Sequence, residues 1–156
     1  ARLVPEGATV DLLRELDSLP HFNPDLEASG APPAVATLRA RLVAADALLV
    51  CSPEYAHGVP GALKNALDWW VGVGLGRRPV GIVNASPAST HAHAQLREIL
   101  ATMDGGLVEP AVIVLPLAGR DAGPEALLAS EAIAGALRGC VDSLVAAGRA
   151  WRAAVE

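Results

Sequence analysis

Residues 51–69, CSPEYAHGVPGALKNALDW, decide how this chain folds, because they pass from the end of a strand through a loop into a helix. The apolar run Ala47–Val50 just before them is typical of a strand that is buried on both faces. Ser52-Pro53 then ends the strand, since proline has no amide hydrogen to donate. Pro60 suits the first turn of a helix, which we place at Gly61–Val71.

Working outward, the chain alternates predicted strands and helices. The predicted strands are Thr9–Leu13, Ala47–Val50, Pro79–Asn84 and Ala111–Leu115, and the predicted helices are Ala34–Ala44, Gly61–Val71, His91–Met103 and Glu125–Ala147. The predicted connections, rich in glycine and proline, are Leu19–Pro33, Gly72–Arg78 and Pro116–Pro124. This order predicts a parallel sheet with helices on both faces and its last three strands adjacent in sequence order. Ligands of such sheets bind in the loops that leave the carboxyl ends of the strands.

Composition excludes several classes of protein. A chain of 156 residues with 52% hydrophobic residues is expected to be one globular domain. No apolar run approaches the roughly 20 residues of a membrane span, and the start of the chain does not resemble a signal peptide. A net charge of −5 without a basic cluster argues against nucleic-acid binding. Cys51 and Cys140 are predicted to be buried thiols, which favours a reducing, cytoplasmic location.

Ser52–Trp69 resembles, without a gap, the signature of the NADPH-dependent FMN reductase family, which is roughly S-P-E-Y-N-x-S-x-P-G-x-L-K-N-A-x-D-W. Ala56 stands where the family has asparagine, and Gly58 stands where it has a small hydroxyl residue. A weaker resemblance continues through Asn84–Ser89, where the family has its second flavin loop. Overall the resemblance covers most of Ala8–Leu117.

The resemblance implies a flavodoxin-like, doubly wound parallel sheet with strand order 2-1-3-4-5. Aligning the signature makes Thr9–Leu13 the family's strand 2 and Ala1–Pro5 the end of its first helix. The central strand 1 and its phosphate loop then have no counterpart, and roughly 30–40 further residues upstream are expected to carry them. We therefore expect residues 1–156 to be a single FMN-binding domain without its N-terminal βα portion. We also expect either a strand of extra residues or an empty, strand-wide gap between Thr9–Leu13 and Ala47–Val50.

The implied activity is oxidoreduction, in which NAD(P)H reduces bound FMN and a small acceptor such as a quinone, flavin or azo compound is then reduced. No catalytic side chain is predicted, because the cofactor supplies the chemistry.

The alternative function is a non-enzymatic electron carrier or flavin-binding module. A carrier would sandwich the flavin between aromatic rings, whereas Tyr55 is the sole aromatic residue of this loop. A flavin-free member with a repurposed loop is a third possibility. The resemblance also implies a homodimer or homotetramer.

A rigid loop of proline and an aromatic residue offers the flat surface and backbone donors that an isoalloxazine ring needs. The predicted cofactor-binding residues are Pro53, Glu54, Tyr55, Ala56, His57, Asn84, Ser86 and Ser89. His57 is either a hydrogen-bond donor near the substrate or a solvent-exposed side chain. Ser86 and Ser89 could also cap the following helix, and the two roles are compatible.

The remaining candidates have structural interpretations. His91 and His93, two residues apart on a helix, do not converge on one ion, so no metal site is predicted. Adjacent Trp69 and Trp70 point in different directions, so that one lies in the core and the other at a subunit contact, or both lie in the core. Asn65, with its neighbours Lys64 and Asp68, is expected to brace the loop and the start of the helix.

Overall fold

The structure is a computed structural model that describes residues 2–117 and 123–156. Within these ranges a short 3-10 turn at Leu16–Ser18 precedes the helices and strands. In chain order these are α1 (Pro24–Ala28), α2 (Pro33–Ala44), β1 (Leu48–Cys51), α3 (Gly61–Val71), β2 (Pro79–Asn84), α4 (Thr90–Thr102), β3 (Gly106–Val114), α5 (Pro124–Ala129) and α6 (Glu131–Val155). The predicted bounds of α3 and β2 are confirmed, and those of α2 and α4 are correct to within one residue.

The three strands form a parallel sheet in the order β1-β2-β3. Val50 lies opposite Ile82, and Ile82 lies opposite Val112, so β2 is the middle strand. All six residues of β2 are buried, as expected for a parallel strand covered on both faces. The predicted pairing in sequence order is thereby confirmed, and it corresponds to strands 3, 4 and 5 of the flavodoxin-like order.

Helices cover both faces of the sheet. Val50, Val80 and Ile82 belong to a core shared with α2, α3 and α4. Val83 and Ala111 belong to a second core, which α6 closes. The split follows from the alternation of side chains along a strand, which directs Ile82 and Val83 to opposite faces. The fold is therefore the predicted α/β arrangement.

The predicted strand at Thr9–Leu13 is wrong, because this segment is irregular. An isolated strand leaves its backbone groups without partners, and no described strand lies beside it. The segment is instead attached to α2, where Arg41 pairs with Asp11 and donates to the carbonyl of Leu12. The predicted helical end at Ala1–Pro5 is a turn at residues 2–3. Because Thr9–Leu13 is not a strand, the predicted gap between it and β1 has a strand on one side alone, which is β1. Within residues 2–117 and 123–156 the outer edge of β1 has no partner.

Three other boundaries differ from the prediction. The connection at Leu19–Pro33 contains α1, whose start is capped by the side chain of Asn23 accepting from the amide of Asp25 at 2.8 Å. An Asn-Pro pair at the start of a helix is the signal that was missed. The last predicted helix is two helices, since Ser130 is extended, with φ −83° and ψ 108°.

The third difference is β3, which begins at Gly106 rather than at Ala111. Pro110 lacks an amide hydrogen and is unfavourable inside a strand, but an edge strand tolerates proline. The pairing with β2 shifts register between Val80 and Ile82, which absorbs the interruption. Part of the predicted break Pro116–Pro124, residues 118–122, lies outside the described residues.

The two cysteines are free and differ in exposure. Cys140 is buried, and its thiol lies 3.5 Å from the carbonyl oxygen of Ala111. Cys51 is exposed, so the prediction that both are buried is wrong for this residue. It lies on the face of β1 opposite Val50, the same face on which Leu49 is 44% exposed. Although α6 has 25 residues, none of the described helices has the length and apolar character that crossing a bilayer requires.

Candidate functional site

The loop after β1 is a tight hairpin. The amide of Tyr55 donates to the carbonyl of Gly58 at 3.1 Å, and the amide of Gly58 donates back at 3.0 Å. Between them, Ala56 and His57 have φ of 50° and 59°. Two positive φ values in a two-residue turn are typical of type I′ geometry. The turn leaves the ring of Tyr55 66% exposed at the carboxyl end of the sheet, where such folds bind ligands.

The two departures from the family signature lie in this turn. Asparagine tolerates the left-handed conformation, whereas alanine in it costs about 1–2 kcal/mol, so Ala56 introduces local strain. A Cβ atom placed on Gly58 would lie 3.5 Å from the Gln95 side-chain oxygen, which is an ordinary contact. The site therefore has room for the hydroxyl residue that the family uses at Gly58.

Glu54 ties the hairpin to α4. Its carboxylate accepts a hydrogen bond of 2.8 Å from the amide of Ala92, in the first turn of that helix. The N-cap residue, Ser89, makes no side-chain bond there, so Glu54 supplies the cap from a distant part of the chain. A carboxylate at this end is also favoured by the helix dipole. A second tie joins the amide of Val59 to the side-chain oxygen of Gln95 at 2.8 Å.

A third contact between the hairpin and α4 is a stack of two imidazoles. The rings of His57 and His91 have centroids 4.5 Å apart and planes inclined by 7°. Lone pairs of parallel rings lie in separate planes and do not converge on one ion. In the part of the chain described, no three histidine, cysteine, aspartate or glutamate residues group to hold a metal. The pair is therefore a contact between two exposed side chains.

The loop after β2 is shaped by Asn84, which is only 5% exposed. Its side-chain oxygen accepts from the amide of Ser86 at 3.0 Å, and its side-chain nitrogen donates to the carbonyl of Ser89 at 2.9 Å. The hydroxyl of Ser86 accepts from the amide of Ala88 at 3.3 Å. Asn84 thus fixes the conformation of the loop through both the oxygen and the nitrogen of its side-chain amide. Ser86 and Ser89 are half-buried at the surface of this loop.

Beneath this loop lies a cavity of about 10 Å³, close to the space of one water molecule. Ser52, Asn84, Ser89 and His93 are among its lining residues. The Nδ1 atom of His93 is buried there without a hydrogen-bond partner. Burial lowers the pKa of this imidazole, and the positive charge of Arg97 acts in the same direction. A larger cavity, about 320 Å³, lies between residues 13–19 and α2, and none of the predicted site residues lines it.

The second half of the signature holds a different segment. Asn65 accepts from the amide of Phe22 at 2.8 Å and donates to the carbonyl of Pro20 at 3.0 Å. The indole nitrogen of Trp69 donates to the same carbonyl at 2.8 Å, and the ring of Phe22 meets Trp69 edge to face at 5.0 Å. Asn65 therefore acts as a brace, as predicted, although on residues 20–22 rather than on the site loop. Lys64 and Asp68 pair with each other.

Both tryptophans are buried in this chain, Trp69 at 0% and Trp70 at 4% exposure. The prediction that one of them faces a subunit contact is wrong, and the alternative of core packing is confirmed. Trp70 is accommodated next to Trp69 because several elements, α2 and the residues after α3 among them, contribute to the same core. The exposed apolar residues in this region are instead Val71 and Val73.

The structure brings the two predicted site loops together, because β1 and β2 are neighbours and both loops meet α4. Glu54 and Asn84 are engaged in holding the loops, while Tyr55, Ala56 and His57 remain exposed. Sequence reasoning missed the roles of His91 and Gln95, which lie 34 and 36 residues from their hairpin partners. No local pattern could have revealed them, since each contact depends on the packing of α4 beside β1.

The arrangement fits an isoalloxazine ring. The exposed Tyr55 ring provides a flat face at the carboxyl edge of the sheet. The first turn of α4 lies beside the hairpin, and its Ala92 amide is bonded to Glu54. Pro53, Tyr55, Ala56 and His57 are exposed on the hairpin, and Ser86 and Ser89 are half-buried on the neighbouring loop.

Comparison with known proteins agrees with this arrangement. The model of the family described as NADPH-dependent FMN reductase matches residues 1–119. The chain is 37% identical over 108 residues to an NAD(P)H-dependent FMN reductase of Pseudomonas aeruginosa, covering 65% of this chain and 58% of that protein. It is 32% identical over 111 residues to a 2-hydroxy-1,4-benzoquinone reductase of a Burkholderia species, covering 67% and 60%. The chain thus spans less than two thirds of the length of these curated relatives.

Among solved structures, the flavoenzyme NAD(P)H:(acceptor) oxidoreductase FerB from Paracoccus denitrificans is similar, with a TM-score of 0.67 and 31% sequence identity. The match covers 86% of this chain and 77% of that one. The predicted fold, cofactor and co-substrate agree with these relatives. Since the family model extends over most of the chain, including both site loops, the chain belongs to the NADPH-dependent FMN reductase family.

Proposed function

We propose that this chain is the FMN-binding domain of an NAD(P)H-dependent oxidoreductase that reduces a small organic acceptor. The observation that carries the proposal is the bond from the Ala92 amide to Glu54, which unites the two site loops. It fixes the residue that precedes the exposed Tyr55 to the first turn of α4. Family membership and relatives named as FMN and quinone reductases support the same conclusion.

In this proposal the residues of the chain position the cofactor. Pro53, Tyr55 and Ala56 form the face against the ring, with His57 at its rim. Ser86 and Ser89 approach from the second loop, and Glu54 and Asn84 act by holding the two loops in place. Bound FMN supplies the redox chemistry, accepting reducing equivalents from NAD(P)H and releasing them to the acceptor. No side chain needs to form a covalent bond with the substrate.

The test is a visible absorption spectrum of the protein mixed with FMN and freed of excess cofactor, followed by NADPH oxidation with menadione as acceptor. We expect retained flavin absorbance and acceptor-dependent oxidation. Retained flavin without oxidation would overturn the enzyme proposal in favour of an electron carrier. If no flavin is retained, the chain is instead a flavin-free member of the family, in which the loop after β1 serves another purpose.

We further propose a cytoplasmic homodimer or homotetramer. Val71 is 62% exposed and Val73 is 40% exposed, and they form an apolar patch at the end of α3 and the turn after it. Light scattering should give a mass above that of a monomer, and Val71→Glu should lower it. A monomer mass for the unaltered protein would overturn this proposal.

A further inference from the structure

We propose that His57 and His91 together contact the acceptor and give it the proton that a quinone needs when it is reduced. This inference rests on the proposed function and deepens it by naming the two residues that would serve a quinone acceptor. Its structural basis is the stack itself, which joins the hairpin tip to the first turn of α4. The pair therefore bridges the two loops that form the proposed cofactor site.

Reduction of a quinone consumes a proton that a side chain at the site can supply. Conversion of a quinone to its hydroquinone adds two electrons and two protons, which is one hydride equivalent, originating in NAD(P)H, and one further proton. The further proton goes to the carbonyl oxygen on which negative charge develops. An imidazolium can give it through its N–H bond and regain it from water, which leaves the protein unchanged. Both imidazoles are exposed and so accessible to solvent.

The neighbouring polar groups are engaged elsewhere. The Glu54 carboxylate accepts from Ala92, and the Asn84 amide is bonded at both ends. On α4, His93 is half-buried with Nδ1 turned into the small cavity, and Arg97 pairs with Glu109 at 2.7 Å. Besides the histidines, Tyr55 is the remaining titratable side chain of the hairpin. Because Tyr55 is assigned to the face against the flavin, the stacked pair is the group that we assign to carry the proton at the rim.

The stack also keeps the hairpin against α4, since the two ring centroids are 4.5 Å apart and their planes are nearly parallel. An acceptor that contacts one ring therefore lies close to the other.

The experiment compares two acceptors with FMN-loaded protein. Ferricyanide takes one electron and no proton, whereas menadione requires both. For His57→Asn, chosen because asparagine tolerates the positive φ of 59°, and for His91→Phe, which keeps a flat ring, we expect the menadione-to-ferricyanide rate ratio to fall about tenfold or more. His21→Asn, an exposed histidine on the segment before α1, is the matched control and should leave the ratio unchanged.

A spectroscopic reading completes the test. Menadione should shift the imidazole NMR signals of His57 and His91 but not that of His21. An unchanged ratio in both variants, or shifts absent from both histidines, would overturn the inference. Absence of turnover with both acceptors in the unaltered protein would count against the proposed function, and the NMR shifts would then decide the inference alone.

Discussion

The two halves of the signature at residues 52–69 differ in what they do. The first half, the hairpin loop, is exposed and is held by contacts from α4 to Glu54, His57 and Val59. The second half, in α3, is buried, and its Asn65 and Trp69 hold residues 20–22. One continuous motif therefore combines a ligand surface with a structural anchor. Residues in the first half should affect binding, and residues in the second half should affect stability.

The largest effect expected from this comparison is on stability. Trp69→Ala removes a side chain with 0% exposure and should lower the free energy of unfolding by about 3–5 kcal/mol. Trp69→Phe keeps most of the packing and loses the bond to the Pro20 carbonyl, so about 1 kcal/mol is expected. Urea denaturation measures both. A loss below 1 kcal/mol for the alanine variant would show that the second half is not the anchor.

In the first half, Tyr55→Ala should have the opposite profile. The side chain is 66% exposed, so the free energy of unfolding should change by less than about 0.5 kcal/mol. FMN affinity should weaken by about 1–3 kcal/mol through loss of an aromatic contact. A fluorescence titration with FMN measures the affinity. Unchanged affinity would remove Tyr55 from the site, whereas a large stability loss would erase the contrast with Trp69.

Glu54 tests whether the two loops act as one unit. Glu54→Ala removes the distant cap of α4 and should cost about 0.5–2 kcal/mol, while Glu54→Gln keeps an acceptor oxygen and should cost less. Hydrogen exchange of the Ala92 amide should accelerate in the alanine variant, because its partner is gone. If that amide exchanges at the same rate in both variants, Glu54 does not cap α4 and the hairpin is held by other contacts.

The smallest effect should come from the turn itself. Ala56→Asn places a residue that tolerates the left-handed conformation at φ 50° and should stabilise the protein by about 0.5–1 kcal/mol. Gly58→Ser, for which the structure has room, serves as the neighbouring control with little change expected. Thermal unfolding reports both. A destabilising Ala56→Asn would contradict the type I′ turn.

The segment Thr9–Leu13 shows where prediction from local sequence pattern fails. Its composition suits a strand, but a strand requires a hydrogen-bonded neighbour, and within the described residues it has none. Strands β1 and β2 form because each has its partner within the chain. Local propensity becomes structure only where the backbone groups can be paired.

Sequence alone determined the α/β class, the three adjacent parallel strands, the bounds of α3 and β2, and the position of the hairpin loop. These follow from short-range rules of apolar runs, helical spacing and proline. Tertiary structure decided that Glu54 caps α4, that His57 stacks on His91, and that both tryptophans are buried. Each of these depends on groups far apart in the chain that meet only when α4 and α3 pack on the sheet, and no local pattern encodes such a meeting.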